Sequence, residues 1–467
     1  MVSLFLLIGV LVALVWSGTV LARASLVGTA LAVLLVGSFF GDSFLRVQLG
    51  PIPLTADRLL LVVLVAQYVS YRRWGQIDSQ PAVTTDYVLG AFLVVLAVST
   101  VVHDYRVDQF QPLVHLTVFY LVPVVIYWIV RQSEWTARTA WWVFGTLAAF
   151  GVYLCATVVA ETQGMWDFVF PRHIVLPGFL ENLGRGRELF ANPAATGLVQ
   201  TLGMCAALVF WPHASRAGKL LLSALAAVFL VGIYNTLSPS AWFGAGGALL
   251  LIAALNTPRA GRFRVIATAV AGAAIVAGVG WQQFRAHGRD QEFSAKAVQQ
   301  SAELRPALAV VAWHMYLDHP VLGCGLGQYS REVPAYLPDQ TTKLPLEKSR
   351  FYAQQNVFLS LLTETGFLGM GLFVALLACW TGTAWRLWRA ATAPVWARQM
   401  GLLFLAFMTA YLANGMFHDL SIVPMVNMFL FFLAGAIMGL AAWIDSPSAA
   451  MNLTLSRPRE EPELVAN

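Results

Sequence analysis

The feature that most constrains this chain is the recurrence of apolar stretches about as long as a bilayer core is thick. A helix needs about 20 apolar residues to cross the hydrocarbon. Thirteen stretches approach or reach that length: roughly 2–21, 25–40, 58–71, 86–102, 113–130, 139–160, 193–211, 218–236, 240–256, 263–281, 356–381, 400–417 and 421–444. Some are short, 58–71 above all, so 12 to 13 helices are expected. Only 11% of the residues are charged and 58% are hydrophobic, whereas soluble domains carry about 25% charged residues. Such a chain cannot cover itself with a water-facing surface. The expected fold is all-α and polytopic, with lipid as the solvent. The first stretch lacks a basic start and an A-x-A cleavage site, and is read as a retained helix.

Lys and Arg in the connections give an orientation, because cytoplasmic loops carry an excess of both. One alternate set of connections holds Arg23; Arg72 and Arg73; Arg131 and Arg138; Arg216 and Lys219; Arg259, Arg262 and Arg264; and Arg386, Arg389 and Arg398. The short loops of the other set hold Arg46, Arg58 and Arg106. The first set is expected in the cytoplasm. The net charge of +5 reports this loop bias. Without a dense basic tract, nucleic acid is not an expected partner. Cys155, Cys205, Cys324 and Cys379 lack the spacing of a zinc site or a disulfide framework, and neither a metal nor a cofactor is expected.

Two long connections face outward in this topology, 161–192 and 282–355. They divide the chain into N-terminal helices 1–160, an outer loop 161–192, helices 193–281, a long outer loop 282–355, helices 356–445 and a cytoplasmic tail 446–467. Connections longer than about 15 residues are usually functional or disordered. The second contains apolar and aromatic residues throughout and is expected to be ordered. No internal repeat is visible, which counts against a transporter built from inverted halves.

The first loop ends "ENLGRGRELFANPAATG", with Arg185 and Arg187 one glycine apart and Pro193 at a tolerated helix-start position. Two guanidiniums there suit an anion as well as a headgroup-facing basic turn. The second loop holds "ELRPALAVVAWHMYLDHP" (303–320) and "HPVLGCGLGQY" (319–329). Pro306 is expected near a helix start, so that Arg305 and the helix N-terminus could favour an anion together, or Arg305 could pair with an acid such as Glu303. His314 and His319 are candidate bases, histidine being the usual proton acceptor of this kind, or structural loop histidines. Pro320, Gly323, Gly325 and Gly327 mark a tight turn that brings the backbone close to a neighbour. Next comes "FYAQQNVFLSLLTETGFLG" (351–369). Gln354, Gln355 and Asn356 form a polar entrance to a membrane helix, and Glu364 lies about two turns inside it. An ionisable residue at that depth is a functional hypothesis by default; pairing with Arg350 or Arg305 is the structural alternative.

Taken in order, "LSPSAWFGAGGALLL" (237–251), the turn "HPVLGCGLGQY" and the helix start "QQNVFLSLLTETGFLG" resemble the O-antigen ligase and polymerase superfamily (WaaL-like ligases, Wzy-like polymerases). The resemblance is most specific over about 235–370. It implies a GT-C-like, metal-independent, inverting glycosyltransferase in a bacterial inner membrane, with its site on the periplasmic face. The implied donor is an undecaprenyl-diphosphate-linked glycan; the implied acceptor is a hydroxyl of the lipid A core or of a second glycan. The family's arginines hold the diphosphate, and Arg305, Arg185 and Arg187 fit those places. Gln354 and Asn356 fall at the acceptor side.

Two positions depart from the family pattern. Ser238-Pro239-Ser240 stands where the family has Ser-Arg-Gly, and Gln355 stands where it has a histidine. Glutamine donates and accepts hydrogen bonds but takes no proton near neutral pH. Gln355 then orients the acceptor while His314, His319 or Glu364 serves as base, or the donor needs little base, or the reaction is lost. A polymerase, a transport component and a non-catalytic partner in polysaccharide assembly are the alternative functions.

Overall fold

The computed structural model describes residues 25–44, 47–49, 52–104, 106–170, 192–258, 260–261, 263–264, 267, 292–338, 344, 346–350 and 354–445. Among them, nine helices are long and apolar enough to cross a membrane. They are Thr84–Val102, Gln111–Gln132, Ala137–Thr162, Pro193–His213, Arg216–Asn235, Pro239–Asn256, Val357–Arg389, Val395–Gly415 and Pro424–Ile444. Each falls on an expected span. The protein is an all-α, multi-pass membrane protein. Leu26–Phe44 and Ala56–Arg73 form two further helices that pack on each other. The expected span 2–21, and nearly all of 263–281, lie outside the described residues.

Two details were not expected from the apolar pattern. A small antiparallel hairpin pairs Val47–Leu49 with Ile52–Leu54. The span Gln111–Gln132 contains a π-helical turn, Leu116–Leu121, of the kind often found at functional sites.

The centre of the bundle is Pro424–Ile444, whose side chains from Val426 to Leu440 are all buried. It packs against Val122–Gln132 through two glycines. A Cβ on Gly435 would stand 2.5 Å from the carbonyl oxygen of Tyr127, and one on Gly439 2.5 Å from that of Arg131. Small residues allow such backbone approach, which is a main source of helix attraction in lipid.

The two ends of the bundle differ in character. At one end a fully buried Arg131 pairs with Asp86 at 2.9 Å. Arg131 Nη2 also donates to the Pro81 carbonyl at 2.7 Å, and the Tyr127 hydroxyl donates to Asp86 at 2.8 Å. Gln132 bridges to the backbone of Gln80 in both directions. This is the end that carries the basic connections. The opposite end gathers the polar motifs.

Candidate functional site

The site is built on a broken helix. Val357–Arg389 is interrupted at Gly366, with φ +65° and ψ −168°, a region essentially reserved for glycine. The break frees backbone groups that a continuous helix would pair internally, and buried groups of that kind must find other partners. They find them in the turn after the loop helix Glu292–Asp318. The Phe367 amide donates to the Pro320 carbonyl at 2.9 Å, the Cys324 amide to Thr363 O at 2.8 Å and the Gly325 amide to Glu364 O at 3.1 Å. The Ser99 hydroxyl lies 3.0 Å from Leu322 O and 2.9 Å from Glu364 O, tying both segments to Thr84–Val102.

The glycine-rich turn serves this docking, as its sequence suggested. Gly323 has φ +70°, and a Cβ there would stand 2.3 Å from the Glu364 carbonyl carbon. A Cβ on Gly366 would stand 2.3 Å from Val321 O. The loop and the membrane helix therefore meet backbone to backbone.

The polar entrance sits above this joint. Asn356 caps the helix: its Oδ1 accepts from the Phe358 amide at 2.8 Å and the Leu359 amide at 3.1 Å, while its Nδ2 donates to Met416 O at 3.0 Å. Gln354 is buried, donates to Leu308 O at 3.3 Å and accepts from the Gln355 amide at 3.1 Å. Gln355 is half-buried, and its Oε1 accepts from Arg305 Nε at 3.3 Å. Arg305 also reaches Phe417 O at 3.5 Å and lies over the Phe417 ring, 5.1 Å from its centroid. Among the described residues, only neutral groups hold this guanidinium. Partial burial pulls its pKa down, yet an arginine stays charged.

Beneath the entrance lies a cavity of about 230 Å³. Glu364 and Asp419 both line it, as do His115, Tyr329, Gln354 and Ser360. Glu364 accepts from the backbone amides of Gly327 and Tyr329. Asp419 accepts from the Ser421 amide at 3.0 Å and the Ser421 hydroxyl at 2.5 Å, and is hydrogen-bonded by Ser360. Burial pushes the Asp419 carboxyl up to about 6 against the opposing hydrogen bonds of Ser360 and Ser421. His115 stacks on Phe119, with ring centroids 4.4 Å apart.

Several expectations need placing or correcting. Pro306 lies inside Glu292–Asp318, not at its start, so no helix N-terminus reinforces Arg305. Fourteen residues of helix precede Pro306 because Glu292 to Arg305 are good helix formers. Glu364 does not pair with Arg350 or Arg305: Arg350 forms its ion pair with Glu347 at 3.0 Å, and Arg305 turns to Gln355. His314 is half-buried and His319 exposed; neither lines the cavity. Arg185 and Arg187 lie outside the described residues. Ser238 and Ser240 are buried with their hydroxyls 3.1 Å apart, and Pro239 takes the first turn of Pro239–Asn256. The adjacent Asn192-Pro193 start is as expected, with Asn192 capping the amides of Ala194 and Ala195.

His115 and Asp419 escaped the sequence reading. Asp419 carried one available signal: it is a carboxylate between spans 400–417 and 421–444, in the connection that follows the span after Glu364. His115 carried none, since a histidine within an apolar run reads equally well as packing.

Residues 223–374 match the O-antigen ligase family model (Wzy_C). The match covers about a third of the chain, the same stretch as the motif resemblance, and likens that region to the O-antigen ligase family. Among curated proteins, no relative matches the chain. The O-antigen ligase region contributes Arg305, Gln354, Gln355, Asn356 and Glu364 to the site. His115 comes from the span Gln111–Gln132 before it, and Asp419 from the connection between Val395–Gly415 and Pro424–Ile444 after it.

Proposed function

We propose that this O-antigen ligase relative transfers a glycan from a lipid-diphosphate donor to an acceptor hydroxyl at the outer face of a bacterial inner membrane. The donor is of the undecaprenyl-diphosphate class. The acceptor is a sugar hydroxyl, either on the lipid A core or on a second lipid-linked glycan. One observation carries the reading: Arg305, inside the matched region, is held by Gln355 Oε1, the Phe417 carbonyl and the Phe417 ring. Its positive charge meets no carboxylate among the described residues, so an anion can complete the pocket.

In this reaction the acceptor hydroxyl oxygen forms a bond to the anomeric carbon as the bond from that carbon to the diphosphate breaks. The electron pair leaves with the diphosphate, and the hydroxyl proton ends on that product or in solvent. A guanidinium next to the leaving oxygen stabilises the charge that develops there. Gln355 stands beside it as an amide that orients a hydroxyl without taking its proton. The energy of the donor bond drives the step, so no nucleotide is required.

The test uses purified protein in nanodiscs with a lipid-diphosphate-linked oligosaccharide and a sugar acceptor. Release of the lipid diphosphate is expected. Arg305→Ala should lower the rate by about 10²–10³, the range for losing one preorganised charge-stabilising donor. Arg305→Lys should restore part of it as a point charge without the planar fork. Unchanged turnover in Arg305→Ala would remove the role of this guanidinium. Product length separates the two acceptors: a single addition indicates ligation, a ladder indicates polymerisation.

A further inference from the structure

We infer that the cavity under Gln354 is a subsite for one neutral pyranose ring, formed partly by residues outside the O-antigen ligase region. The inference rests on the glycan-transfer reading and names the part of the substrate that this chain reads directly.

The size is the first argument. Pockets for drug-sized ligands measure about 300–1,000 Å³. A cavity of about 230 Å³ takes a single sugar ring but not an oligosaccharide.

The lining is the second. Two carboxylates, Glu364 at 7% and Asp419 at 5% exposure, face one space; Arg331, which also lines it, is exposed and turns to Asp104 and Glu332, at 4.0 Å from each. Burying such groups is costly unless their lone pairs are used. Part of that need is met by the amides of Gly327, Tyr329 and Ser421 and by the hydroxyls of Ser360 and Ser421. These donors fix the carboxylates in place. Each carboxylate has about four acceptor positions, so each keeps capacity for hydroxyl groups entering the cavity.

The third argument is independent of the acids. His115 and Tyr329 line this cavity, and among the described residues the His115 Nε2 and the Tyr329 hydroxyl are buried without a hydrogen-bond partner. His115 is 7% exposed and Tyr329 4%. A buried polar atom left unpaired costs about 1–3 kcal/mol. Two such atoms beside two spare acceptors describe a site that wants a ligand carrying several donors and acceptors. A pyranose, with hydroxyls spaced around a ring, supplies both kinds. The mouth is ringed by the exposed residues Gln111, Ser330 and Ile422, so a sugar can enter without moving the bundle.

Position is the fourth. Gln354 lines the cavity, and its side-chain oxygen accepts from the Gln355 amide. Gln355 in turn holds Arg305. A ring in the cavity therefore sits next to the proposed diphosphate contact.

The experiment measures saturation transfer by NMR from full-length protein in nanodiscs to a panel of methyl glycosides: glucoside, galactoside, mannoside, rhamnoside and N-acetylglucosaminide. At least one should bind, at a dissociation constant on the order of millimolar. Asp419→Asn should weaken it about tenfold or more, the effect of one hydrogen bond to a charged group. Ser330→Trp is the fold-safe variant: the residue is exposed at the mouth, and the indole should block entry and abolish the signal. Failure of every glycoside to bind, or equal binding in wild type and Ser330→Trp, overturns the subsite. Lipid-diphosphate release is followed on the same samples. Sugar binding without release leaves the subsite standing and sinks the transfer reading; release without sugar binding does the reverse.

Discussion

Replacing Gly366 with alanine should pull the loop turn off the membrane helix. At φ +65° and ψ −168° an L-residue carries a conformational penalty of about 1–3 kcal/mol. The new Cβ would stand 2.3 Å from Val321 O and 2.6 Å from Pro320 O. Both are backbone atoms, so no side-chain rotation relieves the contact, and overpacking of this sort costs about 1–3 kcal/mol more. The total, roughly 2–6 kcal/mol, exceeds what the Phe367–Pro320 hydrogen bond can return. The Pro320–Gly325 turn should therefore lift, opening the cavity and exposing Cys324, which is 3% exposed in the intact fold. Burial also pushes the Cys324 thiol up, so the intact protein should react slowly with maleimide. In a Cys379→Ser background, Gly366→Ala should label Cys324 faster and unfold at a lower temperature. Gly371→Ala is the control, in the same helix, where an added Cβ meets nothing within 4 Å; it should be neutral or stabilise by about 0.5–1 kcal/mol. Equal melting and equal labelling of the two variants would refute the backbone-docking argument.

Three further outcomes are expected. Asn356→Ala should cost about 1 kcal/mol through loss of the cap and should loosen the Met416 contact, while Asn356→Asp keeps the cap oxygen and most of the stability, read by thermal unfolding. Arg131→Met leaves Asp86 buried without its cation and should cost about 3–5 kcal/mol, whereas Arg131→Met with Asp86→Leu should recover most of it; no recovery would mean that the pair is needed for more than charge balance. Asp419 faces Glu364, Tyr120 and Tyr411, and burial raises its carboxyl to about 6. The folded state thus binds this proton more tightly than the unfolded chain does, so the associated stability is present below the ordinary carboxylate range and is lost as pH rises through about 6. Sugar binding should run the other way, weakening as Asp419 is protonated below about 6, and Asp419→Asn should flatten that limb of the pH profile.

The sequence by itself determined the class of fold, because apolar runs of bilayer length leave a chain no other solvent than lipid. It also drew the candidate site together: the Gln-Gln-Asn entrance, the glycine-rich turn and Glu364 all lie within the stretch 223–374 that matches the O-antigen ligase family model. Even the purpose of the turn glycines was legible, since a glycine-rich tight turn after a helix implies close backbone approach. The tertiary structure decided which atoms complete those features. Thr363 and Glu364 lose helical partners at Gly366, and only the folded turn shows Cys324 and Gly325 taking their place. Arg305 was expected to lean on a helix start or on an acid such as Glu303; no helix starts there, the Glu303 side chain lies outside the described ones, and Arg305 holds Gln355. His115, on a span far earlier in the chain, and Asp419, in a connection well after it, line the same cavity as Glu364. Helical periodicity reports which face of one helix is apolar, but it says nothing about which remote helix that face will meet. Convergence of that kind is fixed by packing among many helices at once, and so the carboxylate pair under Gln354 exists only in three dimensions.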